Sequence, residues 1–240
     1  MCTVSFIANR FGIFITSNRD EDAHRAVHHK PVTDHVHGAQ LTFPKDPKAG
    51  GTWFAINKNG CVAVLLNGAF VKHKHTGNYK RSRGLVLLEI AAAANALLHF
   101  DEMVLNEIEP FTVLLYYHQL HELRWDGRHK YKKNLDTNIA HIYSSSTLYS
   151  LEIVKHREEL FKQFLFNNEE INEQSILQFH SNTNNDAANG FVMKRSQWLR
   201  TLSITQVVMT KQNAVMHHHD LLTGEHHEVR VGGMWQQTNH

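Results

Sequence analysis

The stretch MCTVSFIANRFGIFITSNRDED, residues 1–22, constrains the fold more than any other part of the chain. Residues 3–8 (TVSFIA) and 12–18 (GIFITSN) are short, rich in β-branched and aromatic side chains, and separated by Asn9-Arg10-Phe11. That pattern predicts a β-hairpin. With its turn centred on Arg10-Phe11, Val4 faces Ser17 and Cys2 faces Arg19. Strand alternation then places Cys2, Val4, Phe6 and Ala8 on one face with Ile13, Ile15, Ser17 and Arg19. The face is apolar except at one end. There a thiol, a guanidinium and a hydroxyl meet, with opposing Cβ atoms about 5 Å apart.

The rest of the chain continues in antiparallel style. WFAIN (53–57) and CVAVLL (61–66) flank Lys58-Asn59-Gly60, and Asn-Gly is the strongest short hairpin signal because both residues tolerate positive φ. Ser82 precedes an alanine- and leucine-rich segment without breakers, which predicts one helix over 83–99. Strands are predicted at 112–117, 121–126 and 139–146. Ser150 is placed to cap a helix over 151–166, with Leu151, Val154, Leu160, Phe161, Phe164 and Leu165 as its apolar side. A second helix is predicted over 169–180, and strands over 201–209, 213–220 and 226–231. This order lacks the regular strand–helix alternation of a parallel α/β sheet. It predicts an α+β chain: two antiparallel sheets packed face to face and covered by helices, a four-layer αββα sandwich. No Pro/Gly/Ser-rich linker or repeat divides the 240 residues, so one domain over 1–240 is expected.

Composition removes several classes of function. The formal net charge of +2 gives no sign of nucleic acid or an anionic membrane as partner. No apolar stretch approaches the roughly 18 residues of a membrane span, and no signal peptide is visible. Two cysteines make no disulfide framework, and a reduced cytoplasmic setting is expected. Histidine is in excess, 20 residues, gathered at 24–38 and 216–227. The spacings are irregular and lack Cys-x-x-Cys or His-Glu-x-x-His, so no metal site or cofactor is assigned.

The chemistry points to the thiol. Once Met1 is removed, Cys2 carries a free α-amine, which titrates near 8. That amine can take the thiol's proton, and a nearby guanidinium stabilises the thiolate. Nucleophile and base then belong to one residue, the logic of N-terminal-nucleophile hydrolases. The bland alternative makes Arg19 a solvated strand-end charge with Asp20 as a surface ion-pair partner. Trp53 reads as a core residue, Cys61 as a buried inert thiol, and Asn67-Gly68 as either an oxyanion donor with its hinge or a plain turn.

Asn18-Arg19-Asp20-Glu21 after an initial Met-Cys, together with AGGTWFAINKNGCVAVLLNG at 49–68, resembles the NRDE, or transport and Golgi organisation, family. That family is similar to choloylglycine hydrolases and penicillin V acylases, of the N-terminal-nucleophile fold. The resemblance implies Cys2 as nucleophile, Arg19 beside it, and Asn67 as oxyanion donor. It also implies an Asp, which is Asp22 by the acylase spacing and Asp20 by the family's own motif. Asn18, Glu21, Thr52 and Arg200 are implied as substrate contacts. The acylases carry a second Asn where this chain has Ser144-Ser145-Ser146. The expected function is hydrolysis of a small non-peptide amide or acyl substrate. The alternative is a non-catalytic carrier for haem or an acyl lipid on the same fold.

Overall fold

The first hairpin forms in the register that its turn sets. In the computed structural model, which describes residues 3–25, 30–73, 77 and 79–232, strand β1 (Thr3–Asn9) pairs with β2 (Gly12–Asp22). Thr3 lies opposite Asn18 and Val4 opposite Ser17. Strand β2 is longer than the apolar pattern announces. It runs through the whole Asn-Arg-Asp-Glu motif, because β11 (Leu199–Met209) pairs along its other edge as far as Asp22.

All strand pairings are antiparallel. The first sheet has the order β10 (His141–Ser144), β1, β2, β11, β12 (Ala214–Asp220), β13 (His226–Val231). The second has the order β3 (Val32–Val36), β4 (Ala39–Phe43), β5 (Phe54–Asn57), β6 (Val62–Asn67), β7 (Phe111–Tyr117), β8 (Gln119–Trp125), β9 (Lys130–Leu135). Val4, Phe6 and Ile15 of the first sheet meet Phe54, Val64, Leu66 and Leu114 of the second in one buried cluster. This is the interior of the sandwich. The outer face of the second sheet packs Ala63, Leu65 and Val113 against α1 (Arg83–Ala92) and α2 (Ala96–Glu102). The outer face of the first sheet packs Ile7, Phe14 and Val208 against α3 (Leu151–Asn167) and α4 (Glu173–His180). The result is the expected four-layer αββα sandwich. Each fully buried Leu, Ile or Phe contributes about 1.5–3 kcal/mol.

Several boundaries differ from the sequence reading, each for a local reason. The helix expected over 83–99 is two helices. Ala93 turns extended (φ −66°, ψ 139°), and Asn95 caps α2 by accepting from Leu98 N. The Lys58-Asn59-Gly60 turn has positive φ only at Gly60, since the Asn57 carboxamide holds it by accepting from Asn59 N and Cys61 N. In α3 only Arg157 and Phe161 are buried, and Leu151 is 70% exposed rather than apolar-side. The helix expected from 169 starts at Glu173, where Asn172 and Ser175 form a capping box.

The two glycines at the start of β5's lead-in and of α1 are required by each other. A Cβ on Gly51 would lie 2.4 Å from Gly84 C, and one on Gly84 2.7 Å from Thr52 O. Their contact, with Thr52 N donating to Gly84 O (3.3 Å), brings the first turn of α1 against the Gly-Gly-Thr-Trp segment. That approach forms one wall of the cleft described next.

Candidate active site

Alternation splits the Asn-Arg-Asp-Glu motif between the two faces of β2. Arg19 points into the sandwich. It is 2% exposed, and its guanidinium lies 4.0 Å over the Trp53 ring. Nη1 donates to Arg25 O (2.7 Å) and Nη2 to Asp46 Oδ2 (3.0 Å). Arg19 is therefore a buried ion-paired cation, not a solvated strand end. Its pKa is lowered by burial against the opposing field of Asp46.

Neither Asp20 nor Asp22 is the carboxylate beside Arg19. Asp20 lies on the opposite face and accepts from Tyr149 Oη (2.6 Å) and Thr201 Oγ1. Asp22 is at the surface and accepts from His24 N (2.9 Å), with His24 Nδ1 2.7 Å away. The partner is Asp46, which sequence reasoning missed. It also accepts from Arg25 Nη2 (2.7 Å), and its Oδ1 accepts from Lys48 N and Ala49 N. Burial raises its pKa, but these amides and the Arg25 and Arg19 charges hold it below the usual carboxylate range. The available signal was the Asp46-Pro47 turn pair directly ahead of Gly50-Gly51-Thr52-Trp53.

Arg19, Asp46, Trp53, Glu21, Thr52 and Asn67 line one cleft of about 340 Å³, walled by Ser82, Arg83 and Gly84 of the α1 start. Glu21 Oε2 accepts from Arg25 at the rim (3.1 Å). The Thr52 hydroxyl donates to Pro44 O (2.7 Å). Asn67 ends β6 at the cleft, and its carbonyl accepts from Ser145 Oγ (2.8 Å). Gly68 follows at φ +80°, where a Cβ would meet Ser146 Oγ at 2.4 Å, so glycine is needed there both for conformation and for space. Trp53 Nε1, Arg25 Nε and Asn67 Oδ1 are buried without a hydrogen-bond partner among the described residues. Such groups are uncommon in native interiors, and here they line a space that a ligand can fill.

Arg200 lies opposite Glu21 across β11 and β2, outside the set that lines the cleft. Cys2 lies outside the described residues. Cys61 is buried, and desolvation pushes its thiol up to about 12, so it is no nucleophile at neutral pH. It lines a larger cavity of about 670 Å³ by the α1–α2 break, which contains no residue of the motif.

Asn18 serves the opposite face from Arg19. His180 Nδ1 donates to Asn18 Oδ1, and Ser5 Oγ donates to His180 Nε2 (2.7 Å). Asn18 Nδ2 in turn donates to His180 O (2.9 Å) and Phe191 O (3.0 Å). The connectivity is that of a nucleophilic triad, but Ser5, Asn18 and His180 are each 0% exposed. It pins α4 to the sheet. Burial first, then the Arg157 charge, pushes His180 down to about 3.

Among the described residues the two histidine clusters do not converge. His24 stacks on Trp198 (4.3 Å), while His219 stacks on His226 (4.2 Å) at the far edge of the first sheet. Among the described residues no group of three His, Cys, Asp or Glu is placed to hold a metal ion. Among them, too, no helix is long and apolar enough to cross a membrane.

The fold has solved relatives. An N-acylethanolamine-hydrolyzing acid amidase ortholog from Caenorhabditis elegans matches with TM-score 0.62 and 12% identity, over 86% of this chain and 92% of that one. A variant of conjugated bile acid hydrolase from Clostridium perfringens matches with TM-score 0.55 and 9% identity, over 100% and 95%. Penicillin V acylase from Agrobacterium tumefaciens matches with TM-score 0.50 and 8% identity, over 96% and 86%. At these identities the likeness establishes an N-terminal-nucleophile-hydrolase-like fold. No curated protein matches the sequence. Residues 1–227 match the family described as Transport and Golgi organisation 2, and the chain belongs to that family.

Proposed function

We propose that this member of the Transport and Golgi organisation 2 family is an N-terminal-cysteine amidohydrolase acting on a small non-peptide amide. The observation that carries the reading is the buried Arg19 on the inner face of β2, at a cleft that also holds Asn67. In the hairpin register, Thr3 faces Asn18. We infer that the pairing continues by one residue, which would set Cys2 across from Arg19. Removal of Met1 frees the α-amine of Cys2. The amine takes the thiol proton, and Arg19 favours the thiolate so formed.

The thiolate sulfur adds to the amide carbonyl carbon. The Asn67 carboxamide donates to the resulting oxyanion. The α-ammonium then protonates the departing nitrogen as the C–N bond breaks, leaving a thioester on Cys2. Water, deprotonated by the α-amine, attacks the thioester and releases the acid, and the proton returns to the thiolate.

A panel of short-acid p-nitroanilides tests this reading. Release of p-nitroaniline is expected from the wild type and not from Cys2→Ala, with an acyl adduct mapped to Cys2 after acid quench. Asn67→Ala is expected to lose about 100-fold in kcat. Release that persists in Cys2→Ala, or an adduct on Cys61, contradicts the proposal.

A further inference from the structure

Behind the sheet from Arg19 lies a second buried cation that the mechanism above does not use. Arg157 comes from the middle of α3 and is 1% exposed. Its guanidinium lies 3.8 Å over the Tyr149 ring and 5.2 Å from the Phe191 centroid. Nε and Nη2 donate to Asn189 O (3.2 and 3.0 Å), and Nη2 also to Gly190 O. The remaining arm, Nη1, donates to Thr3 Oγ1. Tyr149 itself donates to Asp20 Oδ2 (2.6 Å). A continuous path therefore runs from the Asp of the motif, through Tyr149 and Arg157, to the residue that follows Cys2.

Packing does not account for this arginine. Position 157 falls in the apolar stripe with Val154 and Phe161, where an unbranched apolar side chain fills the space without the several kcal/mol cost of desolvating a cation. Among the described residues its hydrogen-bond acceptors are carbonyls and hydroxyls. The charge is thus held in place by dipoles and by Asp20 beyond Tyr149.

We propose that Arg157 is a positioning residue for Cys2: it grips Thr3, the residue bonded to Cys2, and its buried charge favours the thiolate. The proposal rests on the reading of Cys2 as nucleophile. A cation favours a neighbouring thiolate. The same field is felt at His180, where Arg157 adds to burial in lowering the imidazole pKa. The charged and titratable groups around the start of β1 are Arg157 from α3, Tyr149 ahead of it, Arg19 and Asp20 from β2, and His180 from α4. Arg19 and Arg157 thus place one buried cation on each face of the sheet. Asp20, on the far side from Arg19, reaches the second cation through Tyr149.

The test is the rate of Cys2 alkylation by iodoacetamide between pH 5 and 9, site-mapped by mass, in wild type, Arg157→Met, Arg157→Lys and Thr3→Val. Arg157→Met is expected to raise the pH midpoint by about one unit and to slow the reaction at pH 7 about tenfold. Arg157→Lys restores most of the midpoint. Thr3→Val keeps the charge but loses the grip, so its rate falls while its midpoint stays. A wild-type midpoint and rate in Arg157→Met overturns the proposal. Should Arg157→Met fail to fold, Thr3→Val decides, and a wild-type rate there overturns it. A wild-type protein that keeps Met1, or whose Cys2 reacts as an ordinary thiol, removes the nucleophile reading and this proposal with it.

Discussion

Arg19→Met is expected to slow alkylation of Cys2 at pH 7 by tenfold or more and to lower the stability of the fold by about 3 kcal/mol. The two effects have separate causes. The first is loss of the cation that favours the thiolate, where one pKa unit changes the ionised fraction tenfold. The second is loss of a buried ion pair and of the contact with Trp53. Breaking a buried pair costs about 3–5 kcal/mol when the remaining charge is stranded. Here Asp46 keeps Arg25 at 2.7 Å, which places the cost at the lower end. Asp46→Asn separates the two effects. It should destabilise the protein while leaving Cys2 at least as reactive, because the cation stays. Urea denaturation and site-mapped alkylation on the same preparations give both numbers. An Arg19→Met protein with wild-type Cys2 kinetics removes Arg19 from the proposed chemistry.

Acidification is expected to weaken the fold well before the carboxylates titrate. Burial pushes His180 down to about 3 and His218 to about 4, and it pushes the half-buried His219 to about 4 as well. All three sit below the roughly 6.5 of an unfolded histidine. The sign follows from proton counting: below pH 6.5 the unfolded chain binds protons that the folded chain refuses. The stability these neutral imidazoles contribute is complete above pH 6.5 and is lost as pH falls toward 4 and then 3. For His180 the slope is up to about 1.4 kcal/mol per pH unit, or about 2 kcal/mol between pH 6.5 and 5. Asp46 and Glu122, whose pKa values are lowered, act only below the usual carboxylate range. Urea midpoints measured from pH 7.5 to 5 should fall steadily, and His180→Gln should flatten the curve by about one proton while lowering it overall. A wild-type curve that is flat over that interval contradicts the buried, neutral His180 that links Ser5 to Asn18.

What the sequence disclosed, and what it hid, follows from the range of the forces involved. The pairing of Val4 with Ser17 was legible because a short turn and a period of two leave a single register that buries the apolar face. The same alternation separates Arg19 from both Asp20 and Asp22, since odd offsets place them on opposite faces. Asp46 was not legible, because its pairing with Arg19 is set by how the second sheet docks on the first. Strands β3 (VTDHV) and β9 (KYKKNL) passed unnoticed for a different reason. They are the edges of the second sheet, largely exposed, and carry no apolar run. The segment 83–99 looked like one helix because alanine and leucine favour helix throughout, and only the Asn95 cap divides it. Arg157 was hidden in plain view as a lone arginine among the apolar positions of α3, and only burial distinguishes it from a surface charge.

The measurement that bears most directly on the central claim is intact mass of the purified protein, before and after a limiting dose of iodoacetamide near neutral pH, with the modified residue mapped. The account predicts a protein that lacks Met1 and takes the label on Cys2 far faster than on Cys61, whose thiol burial pushes up to about 12. Retention of Met1, or a Cys2 that reacts no faster than an ordinary thiol, contradicts an N-terminal nucleophile at this cleft.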